Sequence, residues 1–369
     1  MDKILILSCS TGEGHNSAAR AIEAVLKKRG IPCEITDPVA FQSKRMEDLV
    51  ASLYNNTIRK KPQVFGAVYK LGDIYSTSRL PSPVYWANAH YSHTLREYIL
   101  ENGFTAVVCT HLYGLEAMTA IARRGDFHIP FYGILTDYTS IPFMDETEPD
   151  VFFVPTEDTR EYLIGRGIPE EKILVSGIPV DESFRDHPGK TDARRELGIP
   201  MNRKVFLVMT GGVGCENMEG LCDRLLADIP ENALVLVMTG RNEALRERLN
   251  QKYRESTALL TVQFTRQVPV YMAAADVVLT KPGGLSTTEA AVANVPLVHI
   301  HAIPGCETCN ARYFSEHGMS LWAQNDEEAV IYAKGLVYQK DSADRMLVCQ
   351  RNLINSSASG FIVDKVVGK

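Results

Sequence analysis

Short apolar runs recur along the first half of the chain, at Ile4 to Leu7, Cys33 to Thr36, Ala106 to Cys109, Phe131 to Leu135, Val151 to Val154 and Ile173 to Val175. Amphipathic stretches separate them, and that alternation predicts parallel strands covered on both faces by crossover helices. The pattern starts afresh at Val205 to Met209, Leu234 to Met238, Leu260 to Phe264, Val277 to Leu279 and Leu297 to Ile300. Intervening helices are expected at Ala18 to Lys28, Cys215 to Leu226, Glu243 to Tyr253 and Ser286 to Asn294. The expectation is α/β, with two doubly wound domains, and 369 residues is a length for two at about 150 each. The polar stretch Asp186-His187-Pro188-Gly189-Lys190 marks the boundary, giving domains at 1–185 and 186–340 and a helical tail at 341–369. A cleft between two such domains is the default ligand site.

Charge and composition remove several functions. With 39 basic against 45 acidic residues the net charge is −6, so no global basic field holds nucleic acid by counterion release. The 8 cysteines are too sparse for a disulfide scaffold and read as reduced thiols of a cytoplasmic protein. No signal-type segment and no stretch of about 18 apolar residues occurs. One segment runs against the average. Residues 54–98 carry Arg59, Lys60, Lys61, Lys70, Arg79 and Arg96 against Asp73 and Glu97, interleaved with Phe65, Tyr69, Tyr75, Tyr85 and Trp86. That mixture suits an interfacial surface meeting anionic headgroups on the inner face of a membrane; ordinary helix packing with a solvated basic face explains it equally well.

The loops after the strands carry the chemistry. Gly12 and Gly14 follow the first strand and precede a helix, where backbone N–H groups favour an anion. His15 beside them is a general base or a surface capping residue. Asp137, after Thr136 at the end of the fourth run, either N-caps the next turn or projects a carboxylate at the same sheet edge. Gly211, Gly212 and Gly214 repeat the strand-to-helix device without the lysine of a P-loop. Lys281-Pro282-Gly283-Gly284 repeats it again, and Glu289 beyond it either accepts from ribose hydroxyls or forms a capping box with Ser286. Cys306 and Cys309 form a lone Cys-x-x-Cys pair, which supplies only two metal ligands.

Taken together and in order, Gly12-x-Gly14-His15-x-Ser17, Thr136-Asp137, Gly177-Ile178-Pro179, the Gly211 loop and Lys281-Pro282-Gly283-Gly284 through Glu289 resemble the monogalactosyldiacylglycerol synthase and processive diacylglycerol glucosyltransferase family over residues 1–325. The resemblance implies a GT-B architecture, two Rossmann-like domains facing across a cleft, and inverting, metal-independent transfer from UDP-glucose or UDP-galactose without a cofactor. It implies Asp137 as general base assisted by His15, with Gly12, Gly14 and Tyr138 at a lipid acceptor. It further implies Gly211, Gly212, Gly214, Gly283, Gly284, Leu285 and Ser286 around the diphosphate and Glu289 on the ribose. Phe264 and Thr265 would flank the uracil, and Glu307 and Asn310 would meet the sugar. Two positions depart from the family pattern: no His-x-x-Trp follows Asp137, and Cys306 replaces a glutamine of the sugar loop.

Hexosyl transfer to diacylglycerol is the expected function. A non-diacylglycerol acceptor, a UDP-sugar-binding regulatory protein and a UDP-N-acetylglucosamine 2-epimerase are the alternatives.

Overall fold

The first run forms β1 (Ile4–Leu7), with all four side chains buried, and it is followed by α1 (Glu13–Lys28) and β2 (Cys33–Thr36). A computed structural model provides the structure, which describes residues 2–9, 13–41, 81–209, 218–230 and 232–368. Two helices, α2 (Pro83–Ala89) and α3 (Ser92–Asn102), precede β3 (Ala106–Cys109), α4 (Leu112–Arg124) and β4 (Phe131–Ile134). β5 (Val151–Val154), α5 (Glu157–Gly165) and β6 (Ile173–Val175) complete a parallel sheet of order β2-β1-β3-β4-β5-β6. Successive strand residues face opposite sides. Ile4 and Ile6 therefore join Ile22, Leu26 and Phe153 in one core, while Leu5 and Leu7 join Leu115, Met118 and Phe152 in the other. Each such side chain contributes roughly 1.5–3 kcal/mol on full burial. α4 rides close over the sheet because Gly114 lacks a side chain: a Cβ there would lie 2.9 Å from Leu7 Cβ and 3.3 Å from Cys109 Sγ.

The second series begins with α6 (Lys190–Glu196), β7 (Lys204–Met209), α7 (Met218–Asp228), β8 (Ala233–Gly240), α8 (Glu243–Lys252) and β9 (Leu259–Gln263). It continues through α9 (Val268–Ala274), β10 (Val277–Thr280), α10 (Gly284–Val292), β11 (Leu297–His299), α11 (Cys306–Glu316), β12 (Leu321–Trp322), α12 (Asp326–Tyr338) and α13 (Lys340–Leu353). Its sheet is parallel, of order β12-β11-β10-β7-β8-β9. Arg194 on α6 is 5% exposed and braces the lower end of this sheet. It donates to the carbonyls of Ala274, Met201 and Arg203 and to Asp276 Oδ2 at 2.8 Å. Asp276 also accepts from Val205 N and Lys190 Nζ. Burial pushes its carboxyl up, but Lys190, the Val205 N–H and Arg194 outweigh that and hold its pKa low.

The chain divides into two compact units, Met1–Asp181 with Ile303–Cys306 and Ser357–Lys369, and Glu182–Ala302 with Glu307–Ser356. The break thus falls four residues before the expected 185/186, and the tail expected at 341–369 is shared. α13 belongs to the second unit, whereas α14 (Ala358–Val366) puts Ile362 and Val363 into the core beside Ile4 and Ile22 of the first. Arg29 Nη1 bonds Asp364 Oδ1 at 2.6 Å, and Ser359 Oγ donates to the Val180 carbonyl.

Candidate functional site

In each sheet the strand order reverses beside the first strand of its series, and ligands of open α/β sheets bind outside the carboxyl ends at such points. In the first unit that point lies between β1 and β3. α1 begins at Glu13, five residues earlier than expected, so Gly14 and His15 stand in its first turn. These are weak helix formers; His15 Nδ1 lies 2.7 Å from the distant Thr110 carbonyl, and beside it Ser8 Oγ donates to Asn16 Oδ1 at 2.7 Å. A carbonyl only accepts, so the proton sits on Nδ1 and the lone pair on Nε2. Thr136 Oγ1 lies 3.0 Å from the same Nδ1. Burial lowers the His15 pKa below the ordinary value, and the bond to Thr110 opposes this only in part, so the ring is neutral at pH 7.

His111, at the end of β3, stacks edge-on against His15 with ring centroids 4.6 Å apart. It N-caps α4 by accepting from Tyr113 N at 3.2 Å. Burial, then the neighbouring His15, drives its pKa well below 6.5. The structure brings His15, Thr110, His111, Thr136 and Asp137 around one pocket, whose wall includes Leu115 and Met144. The sequence pointed to His15 and Asp137; it missed His111, which a search of every strand end would have found. Tyr138, 7% exposed, is not among the residues that line this pocket. Gly12 lies outside the described residues.

In the second unit the reversal lies between β7 and β10. The Gly211, Gly212 and Gly214 loop after β7 lies outside the described residues. The loop after β10 leads into α10, whose N-cap Gly283 has no side-chain cap bond, which leaves first-turn N–H groups for a ligand. Because α10 starts at Gly284, Ser286 is the third helical residue and cannot cap; the capping-box alternative for Glu289 is removed. Glu289 is half-buried on the second turn. Leu285 is 5% exposed, so it can offer a ligand its N–H but not its side chain.

Lys281 Nζ pairs with Glu307 Oε1 at 3.1 Å beside this helix end. Lys281 is a cation the sequence reading passed over, although it opens the Lys-Pro-Gly-Gly motif. Asn310, expected at the sugar, is fully buried and donates to the Pro282 carbonyl at 2.9 Å. It is a brace for the loop. Thr265 likewise caps its own turn by accepting from Gln267 N. Phe264 is 54% exposed after β9, and the Arg241 guanidinium, after β8, lies 4.7 Å from its ring centroid. His299, fully buried between Thr287 and Ser320, ties α10 to the loop before β12 as a neutral ring, its pKa lowered to about 3 by burial.

Among the described residues, no group of three or more His, Cys, Asp or Glu side chains is placed to hold a metal, and Cys306 and Cys309 are not joined in a disulfide. No described helix is long and apolar enough to cross a membrane. Residues 54–80 of the basic aromatic segment lie outside the described residues; Trp86, on α2, is 64% exposed.

The monogalactosyldiacylglycerol synthase family matches residues 15–180, and the UDP-N-acetylglucosamine 2-epimerase family matches residues 148–366. The chain is 25% identical to a processive diacylglycerol beta-glucosyltransferase of Bacillus cereus strain G9842, with 100% of this chain and 94% of that protein covered. Among solved structures it is similar to the UDP-GlcNAc 2-epimerase of Neisseria meningitidis bound to UDP-GlcNAc, at 16% identity, 100% coverage of both chains and a TM-score of 0.63. It is also similar to MurG of Acinetobacter baumannii, at 15% identity, 100% coverage of both and a TM-score of 0.61. The likenesses to solved structures bear on fold alone: two Rossmann-like domains of the GT-B class.

Proposed function

The chain belongs to the monogalactosyldiacylglycerol synthase family and, over residues 148–366, to the UDP-N-acetylglucosamine 2-epimerase family, and it is a glycosyltransferase; from that premise we propose that it moves a hexose from a UDP-sugar to the hydroxyl of a diacylglycerol, with inversion and without a metal. The observation that carries this is the pocket of the first unit, where a histidine with its lone pair on Nε2 and the carboxylate of Asp137 line the same space. Asp137 takes the acceptor hydroxyl proton while His15 orients that hydroxyl or relays the proton. The oxygen attacks the anomeric carbon, the bond from that carbon to the β-phosphate oxygen breaks, and UDP departs. Its charge is met by the uncapped N–H groups of α10, by Lys281 and by the Gly211 loop. Glu289 takes the ribose hydroxyls and Phe264 flanks the uracil.

The test is a mass-spectrometric product assay with UDP-glucose or UDP-galactose and anionic liposomes containing diacylglycerol. A hexosyl-diacylglycerol is expected. Asp137→Asn should leave UDP binding intact and lower turnover at least about a hundredfold; unchanged turnover removes Asp137 from the mechanism. The epimerase match over the second half supports one other reading, which predicts solvent deuterium entering the sugar at its second carbon and no acceptor-dependent UDP release. Liposome flotation at low and high salt tests whether the basic segment at 54–98 meets an anionic membrane, since electrostatic adsorption weakens as the Debye length shrinks.

A further inference from the structure

The buried face of α4 carries two polar side chains: Thr119, which accepts from Glu148 N at 2.9 Å, and Glu116, a carboxyl that is fully buried. Its Oε2 accepts from Asn88 Nδ2 at 2.5 Å, and Asn88 Oδ1 in turn accepts from the Tyr91 hydroxyl. Its Oε1 has no donor to accept from among the described residues. The Glu116 side chain also meets the carboxylate of Glu146, whose two oxygens already accept from Ser82 N at 2.7 Å and Ser82 Oγ at 2.5 Å. Two carboxylates cannot bond each other, and an unpaired buried oxygen costs about 1–3 kcal/mol. One proton resolves both faults. With it on Glu116 Oε1, every donor in the chain from Tyr91 through Asn88 and Glu116 to Glu146 and Ser82 finds an acceptor.

We infer that Glu116 is a protonated carboxylic acid that donates to Glu146, and that this shared proton fastens the segment following Asp137 onto α4 and so positions the wall of the acceptor pocket. Leu112 and Leu115 of α4 and Ile141 and Met144 of that segment all line the pocket with His15 and Asp137. Glu116 is a positioning residue, and its effect on transfer rests on the function proposed above.

Burial, then the bond and charge of Glu146, raise the Glu116 pKa to about 9, against a smaller opposing effect of Asn88. Among the described residues, Glu116 also acts on Tyr91 and Tyr113, on which Cys9 and Asp37 act as well. Tyr91 is held well above 10 and Tyr113 is pushed up to about 12, so neither titrates below pH 9. His111, at the helix cap, is held well below 6.5. Arg123 spends its charge on Glu148 and the Glu146 carbonyl, and Arg124 bonds Ser92.

Infrared spectroscopy of the whole protein at pH 7 reads the proton directly: a protonated-carboxyl band is expected and should vanish in Glu116→Gln. Hydrogen exchange of residues 138–146, normalised for the intrinsic pH dependence, reads the positioning. Protection in the wild type should fall at least tenfold as pH rises through about 9, and should stay flat in Glu116→Gln, whose amide donates and accepts as the acid does. Turnover of Glu116→Gln should stay within about threefold of wild type at pH 7 and lose the alkaline limb. A carboxyl band that survives in Glu116→Gln, or the same alkaline loss of protection in both proteins, overturns the inference. Neither of these two readouts needs a substrate, so an absent glycolipid product would defeat the proposed reaction and leave them to decide Glu116.

Discussion

Arg194→Met tests whether the second unit depends on one buried guanidinium. Methionine keeps the length and packing of the stem and removes four hydrogen bonds, which are not equal in cost. The Ala274 carbonyl is buried, and an unsatisfied buried acceptor costs about 1–3 kcal/mol. The Met201 and Arg203 carbonyls belong to a more exposed turn where water substitutes, so together they cost about 1 kcal/mol or less. Asp276 keeps Lys190 and the Val205 N–H, so its loss falls below the roughly 3–5 kcal/mol of a fully broken buried pair and is about 1–2 kcal/mol. The total is about 2–6 kcal/mol. Trp322 on β12 reports the second unit, and Trp86→Phe removes the other tryptophan. With a urea dependence of about 2 kcal/mol per M, the Trp322 transition should move down by about 1–3 M. The Asp276 pKa is lowered in the folded state, so its contribution is present above the unfolded value near 3.9 and is lost as pH falls through the folded one. The gap between variant and wild type should therefore narrow below about pH 4. A shift under about 0.3 M, or a gap that widens in acid, refutes this account.

His15, His111 and His299 all have lowered pKa values in the fold, so the unfolded chain binds more protons below pH 6.5 and stability should fall as pH drops from there, the His299 share continuing to about 3. His299→Gln should flatten that acid limb in a pH series of unfolding midpoints. Gly114→Ala should cost about 1–3 kcal/mol in chemical denaturation, because the added Cβ meets Leu7 at 2.9 Å; a loss under about 0.5 kcal/mol would mean that α4 moves away freely. Lys281→Gln should raise the calorimetric Kd for UDP about tenfold or more, and an unchanged Kd would dissociate Lys281 from the diphosphate.

The strands were legible because parallel strands covered on both faces must be continuous apolar runs, and all eleven runs lie on observed strands with ends shifted by at most two residues, the Cys33 to Thr36 run among them despite only partial burial. β12 escaped because two residues make no pattern. The start of α1 was misplaced because Gly14, His15 and Asn16 have poor helix propensity, and side-chain bonds from Asn16 to Ser8 and from His15 to the distant Thr110 override it. Loop positions at the sheet edges were readable, but side-chain fates were not: Asn310 turned inward to Pro282, and nothing in its neighbours along the chain says so. Glu116 was visible all along as a single carboxylate in the run Leu115-Glu116-Ala117-Met118, a local conflict that marks a buried network.

The docking of α14 against α1 and β1 has a consequence for the order of synthesis. A ribosome makes residues 182–356, of which only Ile303–Cys306 belong to the first unit, before it reaches the last part of that unit, at roughly 5–20 residues per second. For on the order of ten seconds or more, the face formed by Ile4, Ile6, Ile22 and Phe153 waits for Ile362 and Val363. The half of the molecule begun first is finished last, and its unfinished core is the surface a chaperone would meet.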